Sequence, residues 1–160
     1  MAYDAFLKLD GIEGESNDKT HKGEIEISSY SWGVANSGSF SHGGGGGEGK
    51  ATFQDLHFGM QMSKASPKLM SACATGKHIP SAVLTCRKAG GTQTEFLKIK
   101  LADVLVSSYQ NGGNNSGPDA DQFPQDQLSL VFAKIDFLYT VDRTGDASEA
   151  EFDVRANTEG

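Results

Sequence analysis

The sequence lacks the features that would tie the protein to a membrane or to an oxidising compartment. No apolar run approaches the ~18 residues of a membrane-spanning helix. The first residues alternate and include Asp4, whereas a signal peptide starts basic and continues as an unbroken apolar run. Only two cysteines occur, Cys73 and Cys86, without CxxC spacing. We therefore predict no membrane insertion, no conventional export signal, and two buried, reduced cysteines in a cytoplasmically folded protein.

Basic residues are too few for a nucleic-acid-binding protein. The chain has 14 Lys and Arg against 21 Asp and Glu, a net charge of -7. The excess acids lie in residues 119–160, while residues 64–100 are rich in bases and contain one acid, Glu95. Nucleic acid repels an acidic chain, and dispersed bases usually form a solvated face. We predict no nucleic-acid partner.

A near-match to a nucleotide-binding loop lacks the parts that such a loop needs. Gly44–Ala51 reads GGGGEGKA, which also satisfies GxGxxG. Ala51 stands where the magnesium-binding Ser or Thr should follow Lys50, and the chain continues as a strand instead of a helix. A five-glycine run fits many patterns by accident, so we predict no nucleotide cofactor.

No arrangement of residues indicates catalysis or metal binding. The histidines occupy four separate segments without metal-ligand spacing, and no GxSxG nucleophile elbow occurs. They are His21, His42, His57 and His78. Trp32, the only tryptophan, can stack a sugar, but core packing is favoured because no other suitably spaced aromatic is exposed nearby. We predict that the protein is not an enzyme and has no catalytic, cofactor-binding or metal-binding residues.

The length of 160 residues suits a single domain, residues 1–160. Eight of the 20 glycines lie within residues 33–49, which predicts an extended Gly-rich loop at 36–49. This loop has one large apolar residue, Phe40, and cannot bury enough surface to fold by itself. We expect it to be mobile in the isolated protein.

Period-2 alternation of apolar and polar residues predicts about eight strands. Three long segments change phase midway: residues 51–60, 97–106 and 128–141. We interpret the changes as β-bulges, with an extra residue near Gln54–Asp55 in the first segment. Ala89–Thr92 predicts a hairpin between two alternating runs.

One helix is predicted over residues 66–76. Ser66 can cap it, Pro67 suits its first position, and Gly76 followed by Pro80 ends it. The predicted fold is mainly β: a single-domain β-barrel of two tightly packed antiparallel sheets, with one flanking α-helix and the long Gly-rich loop.

Short motifs occur in a consistent order along most of the chain. They include 6–11 (FLKLDG), 14–16 (GES), 21–25 (HKGEI), 31–34 (SWGV), 36–39 (NSGS), 49–50 (GK), 54–56 (QDL), 65–70 (ASPKLM), 76–78 (GKH), 87–91 (RKAGG), 103–108 (DVLVSS) and 132–135 (FAKI). Together they resemble the Hcp family, the tube-forming proteins of bacterial type VI secretion systems. Phe152, where the family would have tryptophan, and residues 110–126 depart from the pattern.

The resemblance implies a tube subunit that forms hexameric rings, which stack into a secreted hollow tube. It also implies a VgrG-type spike protein, contractile sheath proteins and small secreted effectors in the lumen as partners. Export from the bacterial cytoplasm would then need no signal peptide. The alternative is a monomeric β-barrel binding module for a glycan or a small apolar ligand.

Two sets of positions are candidates for assembly contacts in such a tube. The ring-stacking set lies in the Gly-rich loop: Ser39, Phe40, His42, Gly43, Gly44, Gly45, Gly46 and Gly47. The second set is predicted to face a neighbouring subunit or the lumen: Ser31, Gln54, Asp55, Lys64, Lys68, Lys98 and Lys100.

Overall fold

The computed structural model describes residues 2–38 and 49–160, which form eleven strands and one helix. The elements are β1 (Tyr3–Leu9), β2 (Ile25–Glu26), β3 (Ser29–Ser31), β4 (Val34–Asn36), β5 (Ala51–Phe53), β6 (Leu56–Gln61), α1 (Ser66–Thr75), β7 (Ile79–Lys88), β8 (Glu95–Gly112), β9 (Gln125–Thr140), β10 (Ala147–Asp153) and β11 (Thr158–Glu159). The prediction of a mainly β fold with one helix is confirmed.

Two long strands, β8 and β9, organise the main sheet. Its order is β11-β10-β9-β8-β7-β1-β2, and every pairing is antiparallel. The other edge of β9 carries β6 along residues 125–130 and β10 along residues 134–140. β3 pairs with β6. The predicted hairpin at Ala89–Thr92 is confirmed, because β7 and β8 pair on either side of it.

Strand pairing among the described residues does not close the predicted β-barrel. β2 pairs with β1, and β3 pairs with β6. Ile27 and Ser28 join β2 to β3 and bond to different partner strands. Ile27 N–H donates to the Ala5 carbonyl at 3.0 Å, and Ser28 N–H donates to the Gly59 carbonyl at 2.8 Å. Because the ladder breaks at this crossing, the sheet stays open. The second sheet consists of β4 and β5 alone, instead of half of a sandwich.

The hydrophobic core lies on one side of the main sheet and is covered in part by α1. Leu7, Phe58, Ile99 and Leu130, from four different strands, are almost fully buried in it, as is Leu69 of the helix. No helix in the described part of the chain is long and apolar enough to cross a membrane.

The helix spans Ser66–Thr75, and Gly76 ends it in the left-handed region at φ 66°. That conformation suits glycine, and the Gly76 N–H bonds back to the Ala72 and Cys73 carbonyls. The prediction that Ser66 caps the helix is wrong. Its hydroxyl donates instead to the buried carboxylate of Asp126, at 2.5 Å, and the N-cap residue is Ala65.

The predicted phase changes occur, but those of β8 and β9 arise differently from a bulge. Burial in β8 shifts from Leu101 to Val104, and burial in β9 shifts from Phe132 to Ile135. These residues face each other in unbroken register, so both strands change face together and neither needs an extra residue. Asp103 takes φ 55° at this point. The β8 bulge against β9 lies further along, between Val106 and Ser108, and the register of β8 against β7 also shifts, beside Cys86 and Arg87.

Gln54–Asp55 marks a change of sheet. β5 pairs with β4 in the small sheet, and β6 begins at Leu56 in the main sheet. The opposite parities of the two halves reflect two strands with different partners.

The two cysteines differ in exposure. Cys86 is fully buried, and burial raises the pKa of its thiol to about 11. Cys73 is only partly buried on α1. The prediction of burial is confirmed for Cys86 and is wrong for Cys73.

Candidate functional site

A row of hydroxyl and imidazole side chains crosses four strands of the main sheet. Ser31 of β3 lies opposite His57 of β6, which lies opposite Ser129 of β9, which pairs with Ser108 of β8. Residues of one row share a face, because facing residues of antiparallel strands point to the same side. The next row repeats this polar character with Ser29, Gly59, Gln127 and Gln110. We call these two rows the polar stripe.

The polar stripe lies on the face opposite the core. Between its two rows runs the row Tyr30, Phe58, Leu128 and Tyr109, whose side chains point inward. The stripe has no lysine, arginine or carboxylate, although Asp55 borders it.

The β8 bulge gathers a chain of hydroxyl groups at the centre of the stripe. Two residues, Ser107 and Ser108, face Ser129 where an unbulged strand would present one. Their hydroxyl oxygens lie 2.7 Å and 2.5 Å from that of Ser129. The Ser107 hydroxyl also donates to the Asp55 carboxylate at 2.6 Å. Ser129 is buried, so its hydroxyl depends on these neighbours for hydrogen bonds.

Gly59 lets its neighbours in the second row, Ser29 and Gln127, approach each other across β6. A Cβ atom at this position would lie 2.7 Å from the Ser29 hydroxyl oxygen and 3.0 Å from the Gln127 side-chain nitrogen. A larger residue here would force these side chains apart.

Serine, histidine and aspartate lie close together here, but their contacts differ from those of a catalytic triad. A triad needs a histidine bonded to both the nucleophile and the carboxylate. Asp55 bonds to Ser107, and no hydrogen bond joins His57 to either residue among the described side chains. The arrangement offers hydrogen-bonding groups without an activated nucleophile.

The predicted assembly positions fall into separate groups. Ser31 lies in the polar stripe and Asp55 borders it, while the Gln54 side chain lies near Gly33, 3.3 Å from where a Gly33 Cβ would be. The four lysines lie elsewhere: Lys64 pairs with Glu13 at 3.6 Å, Lys98 pairs with Glu95 at 3.7 Å, Lys100 faces Asp136, and Lys68 borders a surface cavity beside Lys77. The loop positions Ser39, Phe40, His42 and Gly43–Gly47 lie outside the described residues.

An apolar surface at the end of β9 was missed by the alternation pattern. Phe137, Tyr139 and Val141 are 40%, 48% and 37% exposed. We call these three residues the apolar ledge. They follow buried Ile135 at every second position, which predicts the same face. However, β10 places only the small residues Ala150 and Ser148 opposite Phe137 and Tyr139. Trp32 packs edge-on against Phe137, with ring centroids 5.2 Å apart.

Three carboxylates form a second feature without a sequence signal. Asp136, Glu149 and Glu151 place one oxygen each within 4.8 Å of one another. The Asp136 carboxyl beside it raises the pKa of Glu149. The residues come from two strands, so their proximity follows from the register of β9 and β10.

The remaining histidines of the described residues show structural contacts. His21 bonds to two carboxylates, and His78 bonds to Asp103 at 2.8 Å. Lys50 of the P-loop-like sequence precedes β5 instead of a helix, as the sequence predicted.

Comparison with known proteins gives one consistent family. Residues 6–139 match a family model described as type VI secretion system effector, Hcp. Protein hcp1 of Pseudomonas aeruginosa is 45% identical over 150 residues, covering 93% of this chain and 90% of that protein. The crystal structure of Hcp1 from Salmonella typhimurium has a TM-score of 0.85 at 38% identity and covers 100% of both chains. A type VI secretion system effector from Yersinia pestis has a TM-score of 0.78 at 32% identity, covering 94% of this chain and 100% of that one.

Proposed function

The chain belongs to the Hcp family and is a structural tube subunit of a type VI secretion system, and we propose that it acts as a hexameric ring whose polar stripe faces the lumen. Family membership identifies a structural secreted protein, not an enzyme. It also favours this function over a monomeric binding module, whose barrel interior would need space for a ligand. Here the inner side of the sheet is filled by the hydrophobic core.

The polar stripe is the observation that carries the lumen assignment. It presents neutral hydroxyl and amide groups across four strands, with few charges to select one partner. Such a surface can hydrogen-bond to varied small effectors without the long-range repulsion that a charged wall would impose. Ser31 and Asp55 are then contacts for cargo. Lys98 and Lys100 lie on β8 outside the polar stripe, so any assembly contact they make involves the surface around that strand.

We assign the contacts between subunits to the apolar ledge. Exposed apolar patches on a soluble protein mark interaction sites, and a ring contact joins two unlike surfaces. Charge contributes less to this contact, because bases are paired within the chain: Lys88 lies 2.7 Å from Asp142, and Lys134 lies 3.8 Å from Asp153.

Light scattering after size exclusion tests the ring. We expect a mass about six times the 17.0 kDa of one chain. Tyr139→Asp should reduce the mass toward that of a monomer, because it places a charge in the ledge, while the circular dichroism spectrum stays unchanged. The control is Met70→Asp, at a position 51% exposed on the helix. A monomer at micromolar concentration for the unmodified protein would contradict the proposal.

The Gly-rich loop is our candidate for contact between stacked rings. Its ends are held together in the described part of the chain: the Asn36 side chain donates to the Gly49 carbonyl at 3.0 Å and accepts from the Gly38 N–H at 2.7 Å. Phe53 of β5 joins the β4–β5 pair, which flanks the loop, to the main sheet: its ring centroid lies 5.9 Å from that of Phe132.

Deleting Gly43–Gly47 should abolish tube growth and secretion while leaving the ring and its melting temperature nearly unchanged. The reason is that the Asn36–Gly49 contact at the base of the loop remains intact, but the five-glycine run available for contact is removed. Electron microscopy and secretion assays give the readout. Long tubes from the shortened protein would assign stacking to other surfaces.

The remaining partners follow from the same function. We propose that the protein is made in the bacterial cytoplasm and leaves through the type VI machine, beneath a VgrG-type spike protein and driven by contractile sheath proteins.

A further inference from the structure

A buried histidine holds the segment between β1 and β2 against the main sheet. His21 is 6% exposed, and its ring stacks on Phe6 with centroids 4.5 Å apart and planes 9° from parallel. The Arg87 guanidinium also lies over the Phe6 ring, 4.9 Å from its centroid. The segment thereby covers a part of β1 and β7 on the face away from the core.

Both ring nitrogens of His21 contact carboxylates. Nδ1 lies 3.0 Å from a carboxylate oxygen of Glu24, in the same segment, and Nε2 lies 2.9 Å from one of Glu95, at the start of β8. A neutral imidazole has one N–H and donates only once, which leaves its other nitrogen lone pair facing a carboxylate oxygen. Only the protonated ring donates to both.

Further charged groups surround His21. Arg87 pairs with Asp18 and lies 3.5 Å from Asp4 of β1, and Lys98 of β8 lies 3.7 Å from Glu95. With Glu24, four carboxylates therefore surround two permanent cations, and the imidazolium supplies a third positive charge. Loss of that charge leaves two unbalanced carboxylates in a partly buried cluster.

We propose that His21 is a proton-dependent clamp: its protonated ring fixes residues 13–24 to β8 through Glu95, and loss of the proton releases this attachment to β8, while the Asp18–Arg87 pair still joins the segment to β7. Movement of this segment affects a surface cavity of about 460 Å³. Glu15, Ser16 and Asp18 of the segment line the cavity together with Glu26 and Met62. Release of the clamp changes the wall of this cavity and removes the His21 ring from Phe6, which Arg87 still covers.

Asp18 responds to pH in the opposite direction. The hydrogen bond from Arg87 lowers the pKa of its carboxyl to about 2, below the ordinary 3.8. Its contribution to stability is therefore complete above pH 4 and is lost as the pH falls toward 2. The clamp instead weakens as the pH rises and His21 loses its proton. Loss of the Asp18 contribution and release of the His21 clamp therefore respond to pH changes in opposite directions.

Amide hydrogen exchange of the full chain, followed by mass spectrometry and corrected for the intrinsic pH dependence of exchange, tests the clamp. The reporting amides are Ser16, bonded to the Glu24 carbonyl, and Gly23, bonded to the Ser16 carbonyl. We expect protection of residues 13–24 to fall about tenfold or more in one step as the pH rises, since a hydrogen bond between charged groups is lost. Exchange of the His21 C2 proton, measured in the same samples, should report deprotonation at the same step.

Two variants separate the clamp from general loosening. Glu95→Gln should fold and lose the step, because a glutamine amide can donate to a neutral ring. His78→Gln, which changes a histidine outside the segment, should keep the step. Protection that does not change when the His21 ring loses its proton would overturn the proposal, as would a step that persists in Glu95→Gln. If Glu95→Gln misfolds, the coincidence of the two exchange measurements in the unmodified protein decides the matter.

Discussion

Leu69→Ala is expected to lower the free energy of unfolding by about 3 kcal/mol. Leu69 is fully buried on α1 and belongs to the same hydrophobic cluster as the strands. Removing its side chain loses the burial of three carbon atoms and leaves a cavity in the core beneath α1. Urea unfolding followed by circular dichroism gives the change, and the melting temperature should fall by roughly 6–12 °C.

Met70→Ala is the matched control for this prediction. Met70 is the next residue on the same helix, and its side chain is 51% exposed. Its removal should change stability by less than about 0.5 kcal/mol, as for most surface positions. Equal effects of the two substitutions would mean that α1 does not dock through Leu69.

The ends of α1 could be predicted because the signals there are local. Pro67 fixes a helical φ and Gly76 accepts the left-handed conformation, so both act within one turn of chain. The role of Ser66 could not be predicted in this way. A hydroxyl at a helix start usually caps it, but here Asp126 of β9, distant in sequence, offers a stronger charged acceptor.

The phase changes show where alternation stops being informative. A change of parity along the sequence has three equally good explanations: a bulge, a point where two paired strands change face together, or a change of partner strand. All three occur here: Ser107 lies in a bulge, Asp103 lies where β8 and β9 turn together, and Gln54–Asp55 separates strands of different sheets. The partner strand decides between them, and the partner is set by the tertiary fold.

The polar stripe could be predicted only in part for the same reason. Ser31 and Asp55 are predicted assembly positions, yet nothing local in the sequence shows that Ser107, Ser108 and Ser129 meet. They meet because β6 and β8 both pair with β9 and because one bulge turns two successive serines toward a third. The apolar ledge illustrates the converse, since alternation identifies the face of Tyr139 but not whether anything covers it.

Asp126→Ala is expected to destabilise the protein by about 2–3 kcal/mol, because it breaks the hydrogen bonds that join α1 to the β8–β9 end of the sheet. Asp126 is fully buried and accepts from the Ser66 hydroxyl and from the Asn111 side-chain amide, both at 2.5 Å. Ser66 is 2% exposed, so its hydroxyl cannot turn to water once its acceptor is lost. Asn111 is exposed and can be hydrated. The cost therefore comes mainly from Ser66, offset in part by relief from burying a carboxylate.

Asp126→Asn separates the hydrogen bond from the charge. The asparagine oxygen can still accept from Ser66, while the exposed Asn111 amide rotates into solvent, so we expect less than half of the loss seen with alanine. Ser66→Ala on its own should cost less than Asp126→Ala, and adding it to Asp126→Ala should cost little more, because the unpaired hydroxyl is then absent. Additive losses in the double variant, measured by urea unfolding, would show that the two residues stabilise the fold independently. Coupled losses would place the attachment of α1 in this one buried hydrogen bond, beyond what the apolar contact of Leu69 provides.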